Sequence, residues 1–366
     1  MFAMACDDST APFSIQNARN SAEAFSVAPM LDWTDAHCRV FHRMLSDQAW
    51  LFTEMVTTGA ILYGEPQSRF LGHDPSDAPC SLQLGGSDPK ALAQCAHLGE
   101  KWGYQEINLN VGCPSDRVQN NLIGACLMAY PNKVAQAVSA MKSAVDQIPI
   151  TIKCRIGIDD QADFETLRAF IEAQVEAGVD GVIVHARKAW LQGLSPKENR
   201  HLPPLRYDWV REIKRAFPQL PVAINGGITQ LAQAQQFLEP QPHEGLPGVD
   251  GVMIGRAVYE KPFLLNQLNP PAQRISRFEV IEQMLPYIDT HLAQGAKLNQ
   301  ITRPMLGLYA GLPGGRKWRR FLSERAHRPD ADTQTLIEAR NLVENEISRM
   351  QAQYPEKTQR MLEAAL

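Results

Sequence analysis

The stretch Glu106-Ile107-Asn108-Leu109-Asn110-Val111-Gly112-Cys113-Pro114-Ser115 joins a short β-like run to a loop that carries a cysteine. Downstream, polar residues recur at or near the ends of other short β-like segments: Lys153, His185-Ala186-Arg187, Asn225-Gly226-Gly227 and Gly255-Arg256. A (β/α)8 barrel assembles its active site from residues at the ends of successive strands. The pattern therefore predicts an enzyme on a barrel scaffold.

Eight short β-branched or apolar runs support this interpretation. They span residues 25–30, 50–54, 80–84, 106–110, 150–156, 181–186, 221–225 and 251–255. Their starts are about 25 to 45 residues apart, the length of a strand–helix–strand unit. Helix-like segments lie between them, and one begins after Asp88 and stops at Gly103. The sequence therefore predicts an α/β protein whose parallel sheet closes into a TIM barrel. An open doubly wound sheet is the alternative, but its G-x-G-x-x-G motif is missing after the first strand.

Composition argues against several classes of protein. The 366 residues contain no apolar stretch near 18 residues, so we expect no membrane span. The N-terminus has no basic residue before an apolar run, unlike a secretory signal. The seven cysteines are scattered, and no C-x-x-C or H-E-x-x-H motif occurs. This argues against disulfides and a metal site and favours a reducing cytoplasm.

The patterning also predicts the domain organisation. Residues 1–23 are expected to be a disordered tail and residues 24–268 the barrel. Asn269-Pro270-Pro271 is typical of a linker, and residues 272–354 are predicted to form a helical bundle. In that bundle Ser276 and Glu279 match a capping box, and Pro286 is expected to kink the helix. The last dozen residues are expected to be a tail, and the protein a monomer.

Two glycine-rich strand ends indicate a phosphate site. Gly226-Gly227 and Gly255-Arg256 follow the seventh and eighth predicted strands, where barrels commonly bind phosphate through backbone N–H groups. Arg256 would add a charge-assisted contact. The alternative is a pair of ordinary turns. Asn225 is either a structural residue at a strand end or a residue that orients a ligand.

Other strand-end residues suggest a ligand with a planar ring. Lys153 lies in an apolar strand, so it needs an anionic partner or a lowered pKa. It could form a Schiff base, stabilise a ligand that gains negative charge, such as a reduced flavin, or extend its ammonium to solvent. His185 and Gln83 occupy strand ends where ligand contact is favoured. Pro29-Met30 ends the first strand, where backbone can hydrogen-bond a ring.

Cys113 is a candidate for catalysis because Gly and Pro flank it in a loop. It could be a nucleophile or a general acid, and a buried structural thiol is the alternative. No Cys–His pair is visible in the sequence, so spacing does not decide between them.

Two basic segments suggest a polyanionic partner, although the net charge is −4. Residues 316–328 contain six Lys or Arg against one acid. Arg316, Trp318, Arg319 and Arg320 suit contacts with RNA, and a solvated basic face is the alternative. Lys197 and Arg200 lie in the long loop after the sixth strand, where they could bind a polyanionic substrate close to the active site.

Together these residues resemble the tRNA-dihydrouridine synthases, and most of all their bacterial A-type subfamily, from about residue 25 to residue 350. The resemblance rests on A-P-M-L-D-W-T-D, Q-L-G-G, N-V-G-C-P-S, I-K-C-R-I-G, H-A-R-K-A-W, S-P-K-E-N-R, I-N-G-G-I and G-G-R-K-W-R-R-F-L-S-E-R-A-H. It implies an FMN-binding TIM barrel, a C-terminal helical domain that docks tRNA, and NADPH as the electron donor. The implied reaction reduces the carbon 5–carbon 6 bond of uridines in the D-loop, at positions 20 and 20a.

The resemblance also implies roles for individual residues. The flavin ring would be lined by Pro29, Met30, Leu31 and Gln83, with Lys153 at the edge where negative charge collects. Ribityl and phosphate would be held by His185, Asn225, Gly226, Gly227, Gly255 and Arg256. Cys113 would donate the proton, so its thiol must be protonated beforehand. Asn110 would contact the uridine, which must first be flipped out of the folded tRNA.

Three other functions remain alternatives from the sequence. A dihydroorotate dehydrogenase-like enzyme shares the barrel, the phosphate loops and a loop cysteine, but leaves the basic C-terminal helices unexplained. A non-catalytic RNA-binding protein would tolerate loss of Cys113 and Lys153, yet both are present. A Schiff-base aldolase acting through Lys153 is the third.

Overall fold

A computed structural model describes residues 15–115 and 122–363. Within these residues nine parallel strands form one sheet. They are β1 (Phe25–Val27), β2 (Leu51–Phe52), β3 (Val56–Thr57), β4 (Cys80–Gly85), β5 (Glu106–Val111), β6 (Ile150–Arg155), β7 (Gly181–His185), β8 (Val222–Asn225) and β9 (Gly251–Ile254). The sheet order is β1-β9-β8-β7-β6-β5-β4-β2, and β3 also pairs with β4.

The two ends of this sheet meet and close a barrel. Ser26 of β1 forms a parallel bridge with Trp50, the residue before β2. Val27 N donates to Trp50 O at 2.9 Å, and Trp50 N donates to Phe25 O at 2.8 Å. The predicted TIM barrel is confirmed, with one difference. The single predicted strand 50–54 is two short strands, β2 and β3, which pair with different parts of β4.

Helices alternate with the strands, as the sequence predicted. They are α2 (Thr58–Tyr63), α3 (Ser68–Leu71), α4 (Pro89–Lys101), α5 (Pro131–Lys142), α6 (Phe164–Glu176), α7 (Tyr207–Ala216) and α8 (Leu231–Leu238). The predicted cap at Asp88 is confirmed, because its carboxylate accepts from Ala91 N at 2.7 Å. Past the end of α4, Gly103 adopts a φ of +89°, which suits glycine.

The segment 15–23 corrects the prediction of a disordered tail. Ile15–Asn17 and Ser21–Glu23 are short 3-10 helices, and Ser21 and Ala22 are fully buried. Ala22 packs in an apolar cluster with barrel residues such as Ile183 and Met253. Asn20 Nδ2 donates to Asp180 O at 2.9 Å. These long-range contacts order a segment whose own sequence has no periodic pattern. The remainder of the predicted tail, residues 1–14, lies outside the described residues.

The described residues divide into two compact units. The barrel unit comprises residues 15–32 and 49–255, and the helical unit comprises residues 33–48 and 256–363. The helical unit contains α1 (Ala36–Leu45), α9 (Arg256–Glu260), α10 (Arg277–Ala293), α11 (Leu298–Thr302), α12 (Gly315–Arg325), α13 (Thr333–Gln353) and α14 (Pro355–Glu363). None of the described helices is long and apolar enough to cross a membrane.

Contacts inside the helical unit explain why its limits differ from the sequence boundaries 24–268 and 272–354. Asn269, in the expected linker, is buried and bonds to the end of α1 through Leu45 O at 2.9 Å and Ser46 Oγ at 2.6 Å. The capping box of Ser276 and Glu279 is confirmed. The expected C-terminal tail is wrong for residues 355–363, because α14 is helical and buries Thr358.

Candidate active site

The strand register brings most of the predicted site residues to one end of the barrel. Asn110 pairs with Lys153, and His185 pairs with Asn225 across β7 and β8. Gln83 lies on the neighbouring strand β4, in register with Asn108. The carboxyl ends of parallel barrel strands form a single rim, so these side chains face the same space.

The backbone around Cys113 is held on both sides. Asn110 Oδ1 accepts from Gly112 N at 3.1 Å and from Cys113 N at 3.0 Å. On the other side, Cys113 O accepts from Ala125 N at 2.8 Å. Gly124 has a φ of +86°, and a Cβ there would stand 2.4 Å from Cys113 O, so only glycine fits. The thiol itself is partly buried, whereas the five other described cysteines are buried free thiols.

Lys153 stands on β6 beside this loop. Burial lowers the pKa of its ammonium to about 8, and the nearby Arg155 acts in the same direction. The part of the chain that the structure describes supplies no ion-pair partner for it. A partly buried cation of this kind suits a ligand that brings its own negative charge.

The two glycine loops lie at the ends of β8 and β9. Gly226 has a φ of +114°, and a Cβ there would come within 2.5 Å of the His185 ring. Asn225 Nδ2 donates to Met253 O at 2.8 Å, and Tyr207 Oη donates to Gly226 O at 2.7 Å. These bonds hold the loop, and position 226 requires glycine because a Cβ there would collide with the His185 ring.

The remaining residues predicted to bind the cofactor follow the carboxyl ends of β1 and β9. Pro29 and Met30 follow β1 and are partly buried, whereas Leu31 is 59% exposed. Gly255 ends the barrel unit, and a Cβ there would meet Ala28 at 3.3 Å and Met30 at 3.5 Å. Arg256 is the first residue of α9 and belongs to the helical unit.

Arg155 connects two loops of the site, a role that was not predicted from the sequence. This buried residue donates to Gly112 O at 2.9 Å and to Lys188 O and Asn199 O at 3.1 Å each. Burial lowers its pKa to about 10. A second charged residue in the apolar strand of Lys153 was the available signal. Arg155 thereby braces the Cys113 loop against the loop that follows β7.

The loop after β7 presents its basic residues to solvent. Asn199 is fully buried; its Oδ1 accepts from Trp190 N at 2.8 Å and its Nδ2 donates to Trp190 O at 2.9 Å. Lys197 and Arg200 lie on either side of Asn199 in the chain, and both are exposed.

In the helical unit, α12 carries the basic segment. Arg316, Arg319 and Arg320 are exposed. Arg320 is bound by Glu324 at 2.8 Å. The prediction of an RNA contact by Trp318 is wrong, because the ring is completely buried and its Nε1 donates to Met305 O at 3.0 Å. Residues that are neighbours in a helix point in different directions, so the arginines of α12 face solvent while Trp318 between them faces the core.

The polar groups at the rim indicate the kind of chemistry that they can support. Within residues 15–115 and 122–363 no group of three His, Cys, Asp or Glu residues could hold a metal ion. The rim carries the thiol of Cys113, the amide of Asn110 and the ammonium of Lys153, together with the backbone of the glycine loops. Such a set fits proton transfer beside an anionic, phosphate-bearing ligand.

Comparison with known proteins gives one consistent picture. The family described as dihydrouridine synthase (Dus) matches residues 26–347. A tRNA-dihydrouridine(20/20a) synthase of Shewanella oneidensis is 52% identical over 339 residues, which are 91% of this chain and 98% of that protein. The protein of the same name from Yersinia pestis is 52% identical over 327 residues, which are 88% of this chain and 92% of that protein.

A solved structure shares the fold. A 2-naphthoyl-CoA reductase in complex with 2-naphthoyl-CoA aligns with a TM-score of 0.50 at 10% identity, covering 67% of this chain and 49% of that one. At this identity the likeness concerns the barrel architecture alone.

Proposed function

Since this chain belongs to the dihydrouridine synthase family, we propose that it reduces uridines of tRNA to dihydrouridine, at positions 20 and 20a of the D-loop. The observation that carries the proposal is 52% identity over 91% of the chain to a protein named for that activity. The held Cys113 loop beside Lys153 supports it, because reduction of a carbon–carbon double bond needs a proton donor next to a hydride source.

The cofactor proposed here is a flavin reduced by a nicotinamide, specifically FMN and NADPH. A flavin, when bound, supplies the hydride that the reduction needs. Lys153 has no ion-pair partner among the described residues, so it fits a ring that gains negative charge. The Gly226-Gly227 loop follows β8 and offers backbone N–H groups of two glycines, which fits a phosphate. The residues proposed to hold the group are Pro29, Met30, Leu31, Gln83, Lys153, His185, Asn225, Gly226, Gly227, Gly255 and Arg256.

Cys113 is proposed to donate its thiol proton to carbon 5 of the uracil. Asn110 is proposed to bind the same base. Its Oδ1 accepts from Gly112 N and Cys113 N, and its Nδ2 donates one hydrogen to Gln83 Oε1. The second hydrogen of Nδ2 could then be donated to a uracil carbonyl. One residue would then hold both the proton donor and the substrate.

The tRNA is proposed to contact both units. Lys197 and Arg200 would bind phosphates at the rim of the barrel, and Arg316, Arg319 and Arg320 would bind them on α12. These contacts would offset the cost of flipping the uridine out of the tRNA, about a few kcal/mol. In functional terms residues 24–268 would be the flavin domain and residues 272–354 the tRNA domain of a cytoplasmic monomer.

The test is an anaerobic titration of the purified protein followed in the visible spectrum. Flavin absorbance should be present, bleach on addition of NADPH, and return only when unmodified tRNA is added. Reoxidation by a free pyrimidine without tRNA would instead indicate a dihydroorotate dehydrogenase-like enzyme. A protein that binds tRNA but carries no flavin would rule out the proposal.

A further inference from the structure

A continuous chain of hydrogen-bonded polar side chains crosses the barrel interior from one end to the other. Its members lie on β4, β5 and β6 and are at most 8% exposed. In order from the amino end they are Glu106, Thr151, Asn108, Gln83 and Asn110. Three of them alternate along β5, so they share its inward face. Barrel interiors are normally filled by branched apolar side chains, so a polar column of this length needs an explanation.

Every step of this chain has hydrogen-bond geometry. Thr151 Oγ1 donates to Glu106 Oε1 at 2.7 Å, and Asn108 Nδ2 donates to Thr151 Oγ1 at 2.8 Å. Gln83 Nε2 donates to Asn108 Oδ1 and Asn110 Nδ2 donates to Gln83 Oε1, both at 2.8 Å. At the rim, Asn110 Oδ1 accepts from Gly112 N and from Cys113 N. The four bonds between side chains and these two bonds from the loop all point toward Glu106.

Groups that can only donate fix this direction at both ends. At the rim, backbone N–H groups face the Asn110 amide, so its oxygen must point to them and its nitrogen toward Gln83. Each following amide is then oriented by the one before it. At the other end, Ser21 N can only donate, and it donates to Glu106 Oε2 at 2.7 Å. Ser81 Oγ accepts from the Trp50 indole at 2.8 Å and donates to Glu106 Oε1.

Glu106 is the terminal acceptor of the chain. Its carboxylate accepts Ser21 N at 2.7 Å, Ser21 Oγ and Ser81 Oγ at 2.8 Å, and Thr151 Oγ1. Burial raises the pKa of Glu106, and these hydrogen bonds oppose that shift. A buried carboxyl is costly for a protein to keep unless its donors are supplied, as they are here. Glu106 therefore accepts from Thr151 at the end of the chain, in agreement with the direction of the other bonds.

We propose that Glu106 is a positioning residue for the Cys113 loop, acting through Thr151, Asn108, Gln83 and Asn110. By accepting at one end, it holds three successive amides in a single orientation, with the Asn110 oxygen toward Gly112 N and Cys113 N. The opposite orientation would bring an NH2 group against these N–H groups and release the loop. The inference rests on the proposed function only for the roles of Cys113 and Asn110 in the reaction.

Thr151→Val cuts the chain at one bond with little change of shape. It removes one donor to Glu106 and leaves Asn108 Nδ2 without its acceptor. Ser81→Ala is the matched control: it also removes one buried donor to Glu106 Oε1 and leaves the Trp50 indole without its acceptor, but lies outside the chain. Thr151→Ser restores the hydroxyl and should restore the wild-type behaviour.

Two readouts are measured on the flavin-loaded variants. Reoxidation of the reduced flavin by tRNA should be about tenfold to a hundredfold slower in Thr151→Val than in the wild type, since small misplacements of reacting groups have effects of this size. Alkylation of Cys113 by iodoacetamide, followed on its peptide by mass spectrometry, should be faster in Thr151→Val than in Ser81→Ala. Asn108→Leu cuts the chain one step higher and should behave in the same way if Thr151→Val does not fold.

Equal losses in Thr151→Val and Ser81→Ala that follow their melting temperatures would overturn the inference, because the carboxylate would then be structural only. Unchanged reoxidation and alkylation in both chain-cutting variants would overturn it as well. The alkylation result does not depend on the reaction. A wild-type protein that fails to turn over tRNA would therefore refute the proposed function without deciding the role of Glu106.

Discussion

Replacing Lys153 by Met is expected to stabilise the flavin-free protein while it weakens flavin binding. Lys153 is partly buried and has no ion-pair partner among the described residues, and the loss of solvent around its ammonium lowers the pKa from 10.5 to about 8. A shift of this size corresponds to at most about 3 kcal/mol against burying the charge at neutral pH. For a chain of 366 residues, that free energy corresponds to a rise in melting temperature of about 4 °C at most.

The pH dependence gives this prediction a distinctive form. Below pH 8 the lysine is charged in both the folded and the unfolded chain, so the full cost of burial is present. Between about pH 8 and 10.5 the folded chain loses the proton first, so the wild type gains stability as the pH rises. The advantage of Lys153→Met should therefore be largest at pH 7 and should vanish above about pH 10.5.

The assay is thermal unfolding of the flavin-free proteins across this pH range, with a flavin titration at pH 7. Lys197→Met is the matched control, because Lys197 is exposed and its loss should not change the melting temperature. If Lys153→Met melts below the wild type at pH 7 without flavin, the ammonium has a stabilising partner in the protein and the reasoning fails.

Three further predictions concern the thiol, its loop and the basic helix. Cys113→Ala should keep the flavin spectrum but lose about a hundredfold or more of dihydrouridine formation. The buried-thiol control Cys126→Ala should keep turnover, and wild-type turnover in Cys113→Ala would refute the acid role. Gly124→Ala should slow the reoxidation of the flavin by tRNA more than Gly178→Ala does. Both glycines have a φ of +86°, but a Cβ would strike Cys113 O only at Gly124, so equal effects would show that this clash is not the cause. Arg316→Ala combined with Arg319→Ala should weaken tRNA binding and reduce the salt slope of log Kd by about two. Arg320→Ala should weaken tRNA binding less, because the Arg320 guanidinium already forms an ion pair with Glu324. An unchanged salt slope in the double variant would show that tRNA does not bind this face of α12.

Local patterning was sufficient where a feature depends on neighbours in the chain. The alternation of apolar strands and capped helices indicates a barrel, and the carboxyl ends of its parallel strands meet on one rim whatever the exact register. The sequence could therefore predict that residues at those ends, such as Asn110, Lys153 and Asn225, lie on the same rim. The caps at Asp88 and Ser276 were equally predictable, because a cap involves only the next three residues.

Features that depend on distant partners could not be read in this way. Glu106 belongs to an apolar run in the sequence, and its donors come from Ser21, Ser81 and Thr151, which only the closed barrel brings together. Trp318 lies among arginines in the chain but packs inside the helical unit. Residues 15–23 have no pattern of their own and are ordered by the barrel that they touch.

The sequence alone therefore determined the barrel, its reactive rim and the family, because strand periodicity and short motifs are encoded locally. Only the tertiary structure decided which side chains hold the Cys113 loop and which residues of the basic segments are exposed. Hydrogen-bond partners and burial are set by the register between strands and by helix packing, and these join residues that are far apart in the chain.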